Sequence, residues 1–412
     1  MTPSTTNVVA ALALALTHIF GLVALHGMLY RVGYFGALLQ IWREGPHQLP
    51  DSSNSILTFY TGIGPLDRLL ALASVMFSSV TDGSRPQLSL YAVHFGGQYL
   101  GILAVMMIEG LREGNKSNTF RFFSIWACAI QIFSYGLVMP LYGILHLLTS
   151  RASQVSGLNL AESTRIAHRA SVKMVPEAMV VGYIIPAILM SVPLFPNSLH
   201  QWFGGLWQGS PVWAMLVQKA FASYYSKRRR TTSISHLQYD LKVVEKAEGG
   251  AAAAGLDAPP PPPPMEETRG SSAYLLSRVY SFAFICCVAS QLGPLIVTLA
   301  VAVCPAVFPP YLRAAWALTE VFAPPPFYTS EKMRSMASAM HGFFQYDQYV
   351  GSTAAVIWAS ALYVNSRRTP LNGKGWVRLA FVITAFSLGA GPAGAVVWLM
   401  WEREQQLLVL NY

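Results

Sequence analysis

Charged side chains are scarce in this sequence. They make up 11% of its 412 residues while 53% are hydrophobic, against about 25% charged in an ordinary soluble domain, and mean hydropathy is +0.41. This excludes a water-soluble globular fold and points to an all-α, polytopic membrane helix bundle. Cysteine is sparse too: Cys128, Cys286, Cys287 and Cys304 lie in apolar segments without C-x-x-C spacing, and read as small core residues. Several metal and nucleophile motifs are missing. There is no D-D-x-x-D, N-S-E box or paired D-x-x-x-D run to hold magnesium. D-x-D-D, H-x-x-H arrays, G-x-S-x-G and a Cys/His pair are absent as well. Neither a metal nor a cofactor is expected.

What is present is a series of long apolar runs. Stretches able to cross about 30 Å of hydrocarbon fall near 7–30, 54–80, 89–110, 121–149, 174–195, 278–304, 343–364 and 376–401, about eight transmembrane helices. The first, Asn7 to Tyr30, lacks a basic leader and is too long for a cleaved signal peptide, so it reads as a retained span. The run Lys227, Arg228, Arg229 and Arg230 reads as a cytoplasmic anchor, not a nucleic-acid site. Basic residues are about twice as frequent in the odd-numbered loops, which puts both chain ends on the opposite side from that run. The sequon Asn115-Lys116-Ser117 would then be cytoplasmic and unmodified. Three regions follow: residues 1–225 with five spans and a Trp-rich interfacial stretch at 201–225, an Ala/Gly/Pro-rich disordered linker at 226–271, and residues 272–412 with three spans. No internal repeat of the transporter kind is visible. A secretory-pathway membrane such as the endoplasmic reticulum is the expected location.

A carboxylate at the centre of a lipid-facing helix costs about 2.5 to 3.5 kcal/mol, so the intramembrane polar residues carry the functional signal. Phe343, Asp347, Gly351, Ala354 and Trp358 recur every three or four residues and share one helix face, with Tyr346 and Tyr349 close by. His94, Gln98 and Glu109 form a second stripe, either interhelical hydrogen-bond glue or part of a site, while Leu100, Leu103 and Met107 point toward lipid. Asp67, near Tyr60, is either a first-turn carboxylate behind Pro65 or groove-facing. Glu177, near Tyr183, is either an interfacial cap or a cavity acid, beside Pro176, Pro186 and Pro193, which interrupt their helix. Glu177 and Asp347 would sit toward the same membrane face, with Asp67 deeper. An apolar surround keeps a carboxyl group protonated and able to donate, and aromatic faces stabilise passing cations. Together these suit acid-started carbocation cyclisation.

The outline and the stretches "YTGIGPLDRLLALASVMF", "MVPEAMVVGYIIPA", "FFQYDQYVGSTAAVIWA" and "GAGPAGAVVWLMWERE" resemble the fungal integral-membrane terpene cyclases of meroterpenoid biosynthesis, the ascochlorin, ascofuranone and macrophorin cyclase type. The resemblance spans most of the chain except the linker. It implies metal-free cyclisation of a farnesyl chain on an aromatic polyketide, started at a terminal epoxide or olefin. The expected partners are this hydrophobic prenylated substrate and membrane lipid. Candidate acids are Asp347, then Glu177, then Asp67, with Tyr346, Tyr349, Trp358, Tyr60, Tyr183, His94 and Gln98 available to the substrate or its cations. The rival reading is a proton-coupled exporter using Asp347, Glu177 and His94 as a relay. A receptor-like bundle with a partner at 196–277 is a third.

Overall fold

The computed structural model describes residues 4–43, 47–50, 52–154, 157–192, 194–228 and 267–410, and these are all-helical, with two isolated bridges in place of strands. Most of the 226–271 linker lies outside the described residues. The principal helices are α1 (Thr5–Arg31), α2 (Tyr34–Arg43), α3 (Gly64–Thr81), α4 (Pro86–Gly110), α5 (Phe123–Phe133), α6 (Tyr135–Thr149), α7 (Val175–Leu189), α8 (Asn197–Gln208), α9 (210–228), α10 (Glu267–Val303), α11 (Leu318–Phe322), α12 (Met336–Asn365) and α13 (Gly373–Leu410). Ser4 caps α1 by accepting from the Asn7 N–H at 3.1 Å, and Ser335 and Ser338 form a reciprocal capping box at the start of α12.

Among the described residues, four helices are long and apolar enough, by length and composition, to cross a membrane: Thr5–Arg31, Pro86–Gly110, Ala273–Val303 and Gly373–Leu407, the last of them bent back on itself. This corrects the expectation of about eight. Two of the expected spans double back on themselves. Residues 121–149 break at Ser134 into α5 and α6, whose Trp126 and Tyr142 rings stand 5.3 Å apart, although sixteen residues of straight helix would separate them by about 24 Å. Likewise α13 turns at Gly391, so that Phe386 and Trp398 stack at 4.9 Å.

Both hairpins enter from one end of the bundle, the end where Asn365 meets Asn7, Ser366 meets Gln406 and Arg112 meets Glu404. Their tips reach its middle. Ser134 (φ 91, ψ 152) and Gly391 (φ 76, ψ 165) adopt the same backbone conformation, a region in effect reserved for glycine. Glu109, Tyr280 and Asn365 lie at the hairpin-entry end, so α4, α10 and α12 run opposite to the direction an eight-span count assigns, whereas α7, which starts there at Glu177, runs as that count has it. Lys173 shares an end with Ser4 and Asn365, as the count has it, but it lies over the Tyr225 ring, so α9 returns to that end and the expected separation of the basic run's neighbourhood from the chain ends is overturned.

The α4 helix is the centre of the core. From Tyr99 to Gly110 it is buried on every side, including Leu100, Leu103 and Met107, which the lipid-facing expectation had placed outward. It is enclosed by α10, α12 and both hairpins. Residues 201–225, expected along the membrane surface, instead contribute buried Trp207, Ala214 and Gln218 to the wall beside α7. Cys287 is buried, but Cys128 and Cys286 are half-buried and Cys304 is exposed, so the four are not uniformly core.

Gln98 acts as interhelical glue at the α13 tip. Its amide donates to the Ala390 carbonyl at 3.1 Å and to Cys287 O at 2.9 Å, and its oxygen accepts from the Ala393 N–H at 3.0 Å. It replaces backbone bonds lost where Gly391 and Pro392 break the helix. A Cβ on Gly391 would clash with this amide and sit in a strained conformation. Gly391→Ala is expected to destabilise the protein by about 1–3 kcal/mol, read as a lower midpoint of thermal unfolding in detergent.

Candidate active site

Asp347 faces the tip of the first hairpin. The Gly136 N–H donates to its Oδ1 at 2.6 Å, and the Tyr135 N–H and Ser134 side chain lie beside the carboxylate. The free N–H groups and dipole of α6 therefore point at a buried carboxyl group. Glycine at 136 eases this approach, since a Cβ there would meet Oδ1 at 3.2 Å and the Asp347 carbonyl at 3.3 Å and push them back by a few tenths of an ångström. The face Phe343, Asp347, Gly351, Ala354 and Trp358 is the seam between α12 and α6: the Tyr135 ring lies against Gly351, and Gly143 faces Trp358.

Asp347 also lines a cavity of about 1580 Å³ bounded by α3, α4, the α5–α6 tip, α7, α8 and α12. Seven aromatic side chains of its lining form a closed circuit of ring contacts. Running Tyr135, Phe95, Phe344, Phe77, Trp207, Tyr183, Tyr99 and back to Tyr135, successive centroids are 5.3 to 6.2 Å apart. All seven line the cavity. Its rim carries exposed apolar residues, including Leu69, Ile132, Phe133, Ile188 and Trp202. The chamber thus combines one carboxyl group, a belt of π faces and an apolar rim.

The structure does not bring the three candidate acids together. Asp67 holds the turn before α3: its Oδ1 accepts from the Thr61 N–H and hydroxyl, both at 2.7 Å, and its Oδ2 from the Gly62 N–H at 3.0 Å. It thereby fixes Tyr60, which lines the cavity and bonds to Ser74 at 2.5 Å. Glu177 is paired with Arg278 at the end of the bundle that holds Asn7 and Asn365, remote from Asp347 because α12 runs opposite to the expected direction. The shared membrane face expected for Glu177 and Asp347 is thus not observed.

Among the expected aromatic partners, Tyr60 and Tyr183 line the cavity. The others are committed elsewhere. Tyr346 donates to Pro325 O at 2.5 Å, Tyr349 to Phe322 O at 2.6 Å, and Trp358 to His146 Nδ1 at 3.3 Å. His94 contacts Ser290 O at 3.4 Å and makes no direct hydrogen bond to Asp347 or Glu177. Among the described residues, no three His, Cys, Asp or Glu side chains are grouped to hold a metal ion.

Sequence reading missed Ser134, Tyr135, Tyr99, Phe95, Phe77, Phe344 and Trp207. The usable signal was length: a 29-residue apolar run exceeds what one crossing needs, and "FSYGL" interrupts it. A second buried cluster lies at the hairpin-entry end. Glu109 accepts from Arg112 Nε at 2.6 Å and Arg403 at 3.0 Å, with His146 3.6 Å away, while Arg112 also pairs with Glu404.

A family model described as the CtvD domain matches residues 9–408. The chain is 28% identical to terpene cyclase ascI of Acremonium egyptiacum, covering 91% of this chain and 87% of that one. Terpene cyclase ctvD of Aspergillus terreus is 25% identical, with 94% and 96% covered, and terpene cyclase penA of Penicillium crustosum is 22% identical, with 93% and 92% covered. No solved structure matches the chain.

Proposed function

The chain belongs to the CtvD family, and from that premise we propose that it is a multi-pass membrane terpene cyclase of fungal meroterpenoid secondary metabolism, working in the endoplasmic reticulum or another secretory-pathway membrane. Its substrate is a farnesyl chain carried on an aromatic polyketide, entering from the bilayer across the apolar rim. The observation that carries the reading is one carboxyl group opening into a cavity lined by seven mutually contacting aromatic side chains. A volume of about 1580 Å³ exceeds the roughly 300–1,000 Å³ of common ligand pockets, which suits a long polyene with an aryl head.

Protonated Asp347 gives its proton to the terminal epoxide oxygen, or to the terminal olefin carbon. The C–O or π bond breaks toward the more substituted carbon, and a neighbouring alkene closes the ring by donating its π electrons. The aromatic belt stabilises the travelling cation. Loss of a proton to Asp347, or capture by a substrate hydroxyl that releases one, restores the acid, so substrate and product are isomers and no metal is required. The α6 N-terminus stabilises the carboxylate formed in between. The carboxylate has fixed donors already in place.

The test is to incubate the protein in detergent with a farnesylated phenol bearing a terminal epoxide, and with its olefin counterpart, in the presence of EDTA. A new chromatographic peak of unchanged mass is expected. Unaltered substrate in both cases would overturn the proposal.

A further inference from the structure

Ser134 is the only non-glycine residue with positive φ among the described residues. The matching position at the other hairpin tip is Gly391, in the same backbone conformation, so the chain uses glycine where conformation alone decides. At the tip facing the cavity it uses serine. Ser134 is 9% exposed and its hydroxyl makes no hydrogen bond of good geometry, although it lies beside Asp347. An unpartnered buried hydroxyl and a strained backbone at one residue are both unfavourable. A role for the hydroxyl accounts for both.

We propose that Ser134 is a positioning residue that donates a hydrogen bond to Asp347 as the carboxyl group loses its proton. This rests on the reading of Asp347 as the acid. In the resting protein the Gly136 N–H already serves Oδ1; the hydroxyl is a reserve donor, able to rotate toward the carboxylate as negative charge appears. The titratable groups in electrostatic contact with Asp347 are Tyr91 and Tyr99 on α4 and Tyr135 on α6, all phenols. None of them is a cation that could replace the missing donor.

The decisive variant is Ser134→Gly, which removes the hydroxyl and relieves the backbone at once. It is expected to unfold at the same or a higher temperature than the parent, yet turn over the epoxide substrate about tenfold more slowly at unchanged KM. A merely structural role would raise both stability and activity, or leave both alone. A second readout needs no turnover: the infrared carbonyl band of the Asp347 carboxyl group, identified by its absence in Asp347→Asn, is followed while the sample is titrated to the ionised form. In Ser134→Gly the carboxylate band should shift from its parent position. An unshifted band overturns the proposal whether or not the substrate is turned over. Absence of turnover by the parent protein, with the band shifted, would instead count against the cyclase reading alone.

Discussion

Asp347→Asn is expected to lower turnover by about 10²- to 10⁴-fold, the usual contribution of a positioned general acid, without loss of folded protein. The reason lies in the two jobs of one side chain. Its Oδ1 accepts the Gly136 N–H at 2.6 Å, and an asparagine oxygen can accept the same bond, since Asn and Asp serve almost equally well at helix N-termini. What the amide cannot supply is an acidic proton. Product formation from the epoxide substrate, followed by mass spectrometry, together with an unchanged gel-filtration profile in detergent, checks both halves. Full turnover by the variant would move the acid elsewhere in the cavity.

The second large effect is on stability. Arg403→Met is expected to destabilise the protein by about 3–5 kcal/mol, because removing one member of a buried ion network leaves its partner charged and short of donors. Glu109, Arg112 and Arg403 are all 0% exposed. Arg403 donates to Glu109 Oε1 at 3.0 Å and to Ala152 O at 2.6 Å. Against a total stability of about 5–15 kcal/mol, this loss is large, and it is read as a sharply lower unfolding midpoint and yield. Turnover per folded molecule should persist. Trp358, which reaches the cluster through His146, stands eleven residues and about 16 Å along α12 from Asp347. An unchanged midpoint would mean that the cluster is relaxed elsewhere. One variant is thus expected to lose chemistry and keep its fold, the other to lose its fold and keep its chemistry.

Much of this was legible in the sequence, and the failures share a cause. The all-helical class, the position of Asp347 between aromatic side chains and the alternative of Gln98 as glue all follow from composition and helical spacing. Hydropathy alone cannot distinguish a helix that crosses from two half-length helices that return, because both present the same apolar run. That ambiguity hid the breaks at Ser134 and Gly391 and inflated the number of spans, and α12 runs opposite to the counted direction, which misplaced Asp347 relative to Glu177. Spacing along one helix also cannot show which face meets a cavity. Trp358 shares a face with Asp347 but packs beneath the α6 hairpin, whereas Phe344 and Tyr99 reach the chamber from faces without a polar marker.

The clamps on the two hairpin tips also set an order of assembly. Gly136 finds Asp347 across 211 positions of sequence, and Ala393 finds Gln98 across 295. During synthesis, the first hairpin emerges long before the helix that carries its carboxylate, so its N–H groups remain without that acceptor until α12 arrives. The second hairpin meets the reverse situation, because α4 and its Gln98 already exist when α13 is made. The cavity is therefore a late product of biogenesis, closed by the last third of the chain on a floor laid down by the first.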